Sequence, residues 1–426
     1  MLKRLRLIRF KNLEDATLSL GPFTLLVGAN ASGKSNVREA LRFLHGIGRG
    51  YTLAEIFGEK WSSGERQWEG LRGGVREVSF RGASSFAIEA EVDVQGWGAP
   101  LYSGRYDVEV ETFPSPPRVV RESLRSFGES ARLVYDAHLS RDTSGQERMV
   151  VEAPGGPPEM TGTGAPSPER PVLFQFIPTG SAERSSDVSD VFIALSSMRF
   201  LDLSPEDMRR PSVPGHRALA DGGENLSSVL QSICARAETK DELIHWIRAL
   251  TPMDVVDLKF DVDRLGQVLL IFVEQDGTEL SAYSASEGTL RFLGLLAALL
   301  SPEPSTLFFF EEIENGLHPS RLRLLLDLIR TRTRERGIKV VATTHSPALL
   351  AQLDDELLEH ACLVYRLEGE PSARIVRLLD VPDAERVLRA HDRGDLLASG
   401  WFEDMMEFGG SPREPLKKAR AAEGSP

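Results

Sequence analysis

The spacing of apolar side chains changes period several times along the 426-residue chain, and each change predicts an element. Residues 2 to 27 read as three strands. Leu5 and Leu7 share one parity in the first, while Ile8 and Phe10 share the other. That phase shift predicts a bulge, or a strand buried on both faces. The third strand, Phe23-Thr24-Leu25-Leu26-Val27, is almost wholly apolar and reads as buried. Val37, Leu41 and Leu44 then fall at helical spacing between Asn36 and Leu44. Short alternating runs follow at Val75 to Phe80, Phe86 to Val94, Tyr106 to Thr112, Arg132 to Tyr135 and Met149 to Val151. Punctuated by Gly and Pro, they predict an antiparallel meander. From Ala153 to Pro171, ten of nineteen residues are Pro or Gly, which predicts an exposed loop. Val172 to Ile177 reads as a strand directly after it.

The period then becomes helical over Asp187 to Met198 and again over Asn225 to Leu250, with a Pro-broken segment between. No sustained heptads appear. Val255 to Val262 and Gln267 to Glu274 read as paired strands. The last third alternates: helix Leu290 to Leu300, strand Thr306 to Phe310, helix Ser320 to Arg336, strand Lys339 to Thr343. That order predicts an α/β layer. Gly409 to Pro426 is polar and predicted to be frayed.

Composition narrows the class. The length suits roughly two or three domain-sized units. Apolar residues at 41% and charged residues at 27% are those of a soluble globular protein. No run approaches the ~20 apolar residues of a membrane span. No membrane partner is therefore expected, and the two cysteines, Cys234 and Cys362, form neither a disulfide framework nor a metal-ligand spacing, so a reducing cytoplasm is expected. A net charge of −13 argues against wrapping nucleic acid with the whole surface.

The chemistry is concentrated in a few stretches. Gly28-Ala29-Asn30-Ala31-Ser32-Gly33-Lys34-Ser35 fits the phosphate-loop pattern GxxxxGK[ST], between an apolar strand and a helix. Glycines let backbone N–H groups close round phosphate oxygens, and the helix N-terminus favours anions. Lys34 can reach the β- and γ-phosphates, and Ser35 can hold Mg²⁺. The chain is therefore expected to bind a nucleoside triphosphate. The strand Thr306 to Phe310 ends in Glu311 and Glu312; in phosphate-loop NTPases such a strand lies beside the loop strand. The first acid supports Mg²⁺, directly or through water, and the second polarises water. Ser284-Ala285-Ser286-Glu287-Gly288-Thr289 precedes the apolar helix, Glu314 to Pro319 opens the next, and Thr344-His345-Ser346 ends the last strand.

Together these stretches resemble an ABC-type ATPase head of the SMC/RecF/Rad50-like group, close to stand-alone bacterial AAA-family ATPases. The matching residues are Arg9-Phe10-Lys11-Asn12-Leu13, the loop Gly28 to Ser35, Ser286-Glu287-Gly288-Thr289 as signature, Phe310-Glu311-Glu312 as Walker B, Glu314 to Pro319 as D-loop and Thr344-His345-Ser346 as switch. The resemblance implies a P-loop NTPase head with an antiparallel β subdomain and an inserted, mainly helical lobe. It implies ATP and Mg²⁺ as cofactors, with Gly28, Asn30, Ser32, Gly33, Lys34, Ser35, Asn36 and Lys11 around the nucleotide. Ser286 and Gly288 would contact the nucleotide of a second copy in an ATP-bound, head-to-tail homodimer. Ser35 and Glu311 would hold the metal, Glu312 would be the catalytic base and His345 the γ-phosphate sensor. The signature departs from the transporter form at Glu287 and Thr289; Gln67 and Gln175 are candidates for the Q-loop. The expected division is 1–150 and 254–408 for the two parts of the head, 151–253 for the loop and helical lobe, and 409–426 for the tail.

Two functions are carried forward. One is an ATP-driven switch in DNA-related or genome-defence processes. The other is a regulatory ATPase controlling a separate toxin or nuclease without touching DNA. The basic first strand, with Lys3, Arg4, Arg6, Arg9 and Lys11, reads as a charged edge in preference to a DNA-facing strand. Arg330, Arg332, Arg334 and Arg336 read as favourable charge at a helix C-terminus in preference to a DNA contact.

Overall fold

The computed structural model describes residues 1–62, 64–94, 102–113, 116–127, 131–141, 147–154, 166–175 and 182–408. The three N-terminal strands form where alternation predicts them: β1 (Leu2–Phe10), β2 (Leu13–Ser19) and β3 (Phe23–Val27). The one slip in β1 comes ahead of the phase shift, and the left-handed Arg9 accompanies the shift itself. Pairing slips between Leu2 and Arg4, and Arg9 takes a φ of 53° before the buried Phe10.

β1 and β2 join β4 (Ser85–Val94), β5 (Tyr102–Glu111), β6 (Arg118–Phe127), β7 (Ala131–Arg141) and β8 (Glu147–Glu152) in an antiparallel sheet ordered β8-β7-β6-β5-β4-β1-β2. The expected charged edge is thus corrected: β1 is an interior strand whose cations face acids on β2, β4 and β5. Arg6 lies 2.7 Å from Asp15 on β2 and 3.4 Å from Glu89 on β4, Arg4 lies 3.2 Å from Glu91, and Arg9 lies 3.5 Å from Glu109. Each exposed pair contributes only about 0.2–1 kcal/mol, but together they suit one strand register.

One meander expectation is also corrected, and one strand, β6, falls outside the expected runs. Val75 to Phe80 is no strand: Gly73 and Gly74, both at positive φ, turn the chain into a short helix at Gly74–Glu77. β6 carries no clean apolar alternation, because one of its core-facing positions is Glu122, fully buried. Its carboxylate accepts from Tyr106 and Tyr135 hydroxyls at 3.0 and 2.8 Å, and from the amides of Val172 and Leu173 at 2.6 and 2.7 Å. Those last two bonds cap a one-turn helix, α2 (Val172–Gln175), where a strand was expected. Residues 155–165 of the expected loop and the expected frayed tail, 409–426, lie outside the described residues.

α1 (Lys34–Gly48) and α3 (Ala182–Ser196) follow the helical spacing, and a short strand, β9 (Met198–Leu201), follows α3. Asn225 to Leu250 is two helices, α4 (Leu226–Cys234) and α5 (Ala237–Leu250), broken at Ala235-Arg236. They pack against β10 (Val255–Val262) and β11 (Val268–Glu274) of a small sheet completed by β12 (Glu279–Ser281). These contacts cross residue 253; we retain the division at 150, 253 and 408 as a proposal.

α6 (Glu287–Leu300), β13 (Leu307–Phe310), α7 (Leu322–Arg336), β14 (Lys339–Thr344), β15 (Ala361–Tyr365) and β16 (Arg374–Arg377) complete the α/β part. The sheet order is β9-β13-β14-β3-β15-β16, parallel except for β16. β14 therefore separates the acid-bearing strand from the loop strand, where direct neighbours were expected. β13 is apolar at every position because the sheet is covered on both faces. Leu307 and Phe309 join the core with α1 and the antiparallel sheet, while Phe308 and Phe310 join the core with α6 and α7. No helix among the described residues is long and apolar enough to cross a membrane.

Candidate nucleotide site

The loop after β3 is shaped by its glycines. Gly28 has a φ of 153°, and a Cβ there would lie 2.1 Å from the Val364 carbonyl oxygen. Gly33 (φ 120°) precedes α1, and Ala31 holds a left-handed φ of 64°. The backbone thus curls round the N-terminus of α1, whose N–H groups and dipole favour an anion there. Lys34 Nζ folds back onto the loop, 2.5 Å from Gly28 O and 2.9 Å from Ala29 O. A cavity of about 360 Å³ opens above, lined by Asn30 to Asn36, Arg72, Glu311, Glu312 and Thr343.

The two acids behave differently. Glu311 Oε1 is buried without a hydrogen bond and lies 3.9 Å from Arg38 Nε and from Arg72 Nη2. Glu312 is a non-glycine residue at φ 47°, a conformation costing about 1–3 kcal/mol and common at functional sites. Its amide donates to Thr343 Oγ1 at 3.0 Å, its Oε2 accepts from Asn315 Nδ2 at 2.6 Å, and its Oε1 lies 3.3 Å from His345 Nδ1. Thr344 Oγ1 donates to Glu314 at 2.7 Å, tying the ends of β13 and β14 together.

A divalent cation fits this donor set. The orphaned Glu311 oxygen and the Ser35 hydroxyl are hard ligands at a phosphate loop, as Mg²⁺ requires. Among the described residues no group of three metal-ligating side chains exists, so the remaining ligands would be nucleotide oxygens and water.

Asn30, Ser32, Gly33, Lys34, Ser35, Asn36, Glu311 and Glu312 therefore converge, with His345 against Glu312. Lys11 does not line the cavity: its ammonium donates to the Arg72 carbonyl. Ser286 caps α6, accepting from Thr289 N at 3.1 Å, and with Gly288 lies outside this cavity. Gln67 lines a neighbouring space with Arg38 and Arg42, and Gln175 bonds to Ser167 and Arg170. Sequence reasoning missed Arg72, Thr343 and Asn12 as parts of the site. Asn12 Oδ1 accepts from Asn36 at 2.6 Å, and a Cβ on Gly33 would lie 3.0 Å from the Asn12 side-chain amide. Its place in Arg9 to Leu13 was the available signal. Arg72 had none; Glu39 brings it in by accepting from its amide at 2.8 Å.

Residues 23–143 and 185–351, holding the loop, both acids and His345, match the model of a family described as "AAA domain, putative AbiEii toxin, Type IV TA system". The chain belongs to this family. It is an AAA-family protein, and a phosphate-loop nucleotide-binding domain comes with membership. An "ATP/GTP phosphatase" of Helicobacter pylori is 34% identical over 77 residues, which cover 17% of this chain and 20% of that protein. The match spans one fifth of that relative's length. Solved structures of SMC heads align over most of the chain. The SMC head domain from Thermotoga maritima has 12% identity and a TM-score of 0.40, with 88% of this chain and 98% of that one covered. An SmcHead bound to the C-winged helix domain of ScpA has 13% identity and a TM-score of 0.48, with 91% and 99% covered.

Proposed function

We propose that this family member binds Mg²⁺–ATP at Gly28 to Ser35 and hydrolyses it. Lys34 neutralises phosphate charge, Asn36 and Ser32 complete the cradle, Glu312 takes the proton of the attacking water, and His345 senses the γ-phosphate. The observation that carries this reading is Glu312, strained into the rim of the Lys34 cavity and 3.3 Å from His345. Mg²⁺, held by Ser35 and Glu311, would neutralise charge on the phosphate oxygens when bound.

Two copies close head to tail in this reading, and Ser286 and Gly288 of one copy meet the nucleotide of the other. Support comes from the N-terminus of α6, which lies outside the cavity of its own chain and carries exposed Ser286 and Glu287. Glu287 is the position to test. Gly288 is less suitable, because a Cβ there would lie 2.1 Å from Gly316 O and disturb the loop beside Glu312. Mixing Lys34→Ala with Glu287→Arg, each inactive alone, rebuilds one intact composite site. Recovered ATP turnover in the mixture is the expected result; no recovery would overturn the head-to-tail arrangement.

The process served is, in our reading, genome defence exerted through a separate effector protein. One observation favours an effector over direct DNA contact: the basic stretches are already paired. Arg330 meets Asp354 and Glu356, Arg332 meets Glu242, Arg334 meets Glu356 at 2.6 Å, and Arg336 bonds to carbonyls of Leu300 and Ser301. Salt-sensitive DNA binding in the presence of ATP would reverse that preference.

A further inference from the structure

The loop Glu314 to Pro319 holds Glu312 at two points. Asn315 N donates to Glu312 O at 2.8 Å, closing a turn, and Asn315 Nδ2 donates to Glu312 Oε2 at 2.6 Å. A charge-assisted bond of that length is among the stronger kinds. Glu312 needs such a hold, because its side chain is 41% exposed and a glutamate in water samples many rotamers. With Oε2 occupied by Asn315, it is Oε1 that turns toward His345.

Asn315 is itself fixed from the far side. Gly316, at φ 84°, interlocks with the start of α6: a Cβ on Gly316 would lie 2.5 Å from Gly288 Cα. Leu317 N donates back to Glu314 O at 3.0 Å, and Glu314 is bonded to Thr344. The amide that grips Glu312 therefore sits on a backbone packed against two neighbouring elements.

We infer that Asn315 is a positioning residue for the hydrolysis proposed above: its amide selects the rotamer in which Glu312 Oε1 turns toward His345 at the rim of the phosphate-loop cavity. Asn315 acts through Glu312 alone, since it does not line the cavity that the nucleotide would fill. The inference rests on the assignment of Glu312 as base, and its test separates the two.

ATP turnover is compared in wild type, Asn315→Ala, Asn315→Asp, Glu312→Gln and the double variant Asn315→Ala/Glu312→Gln. Affinity for a fluorescent ATP analogue with Mg²⁺ and the melting temperature are measured alongside. Asn315→Ala is expected to lower kcat roughly tenfold, the scale of one hydrogen bond to a charged group, with KM and analogue affinity unchanged. Asn315→Asp is expected to lower it further, because a second carboxylate repels the first. In the Glu312→Gln background, Asn315→Ala is expected to change nothing, since no carboxylate remains to be aimed. An equal loss in both backgrounds would show that Asn315 acts on the loop as a whole and overturn the inference, as would an unchanged kcat in Asn315→Ala. Wild-type turnover in Glu312→Gln alone would instead remove the base assignment, and the inference with it.

Discussion

Lys34 binds back onto the loop that carries it. Its ammonium is held by two carbonyls of its own loop, Gly28 and Ala29, where phosphate oxygens are expected to take over as partners. Bonds to charged groups are worth about 1.5–3 kcal/mol, so Lys34→Ala should weaken Mg²⁺–ATP binding by roughly ten- to a hundredfold. Calorimetric titration reads this directly, and the melting temperature without nucleotide should stay close to wild type. Wild-type affinity would remove Lys34 from the site. At this scale the sequence was most informative where chemistry demands adjacent residues. Gly28 to Ser35 and the Glu311-Glu312 pair are contiguous, so their spacing alone exposed them. Arg72 and Asn12 reach the same loop through tertiary contacts, with Glu39 and Asn36 respectively, and no local spacing encodes those.

α1 carries the loop at one end and an unusual anchor at the other. His45 lies between Trp68 and Phe200, with Nδ1 at 3.0 Å from Leu195 O on α3. Burial is the main cause that lowers its pKa from 6.5 to about 4, so the folded protein keeps it neutral. Between those values the unfolded chain binds more protons than the folded one. Stability therefore rises with pH across that window and is lost as pH falls through it, by about 3 kcal/mol at the limit. Urea midpoints from pH 7 down to pH 4 should show this loss, and His45→Phe should flatten it. An equally steep profile in that variant would assign the acid sensitivity elsewhere. Elements were legible where one face is uniformly apolar, as in α1, β3 and α6. They were misread where a core position is polar or a glycine intervenes. Glu122 hides β6 and turns Val172 to Gln175 into a helical turn, and Gly73-Gly74 cancels the strand expected after them.

Across the whole molecule, alternating elements made the α/β class legible, but not the strand order. Nothing in Thr306 to Glu312 tells that β14 will lie between it and β3, because parallel strands pair across long connections. The basic first strand misled for a related reason: its partners Asp15, Glu89, Glu91 and Glu109 are scattered over about a hundred residues. With those pairs formed, weak and salt-insensitive DNA binding is expected, and filter binding across a salt series checks it. ATP with Mg²⁺ should convert Glu312→Gln into a dimer detectable by light scattering, and Glu287→Arg should abolish that dimer. A Glu312→Gln protein that stays monomeric would refute the two-copy arrangement while leaving the chemistry intact. Hydrolysis itself is tested most directly by the steady-state ATP turnover of Glu312→Gln. The side chain keeps its size and can still pair with Asn315 and His345, but the basic carboxylate is gone. Turnover should fall by a factor of ~10²–10⁴ while Mg²⁺–ATP affinity persists. Turnover equal to wild type would contradict the role of Glu312 as the base.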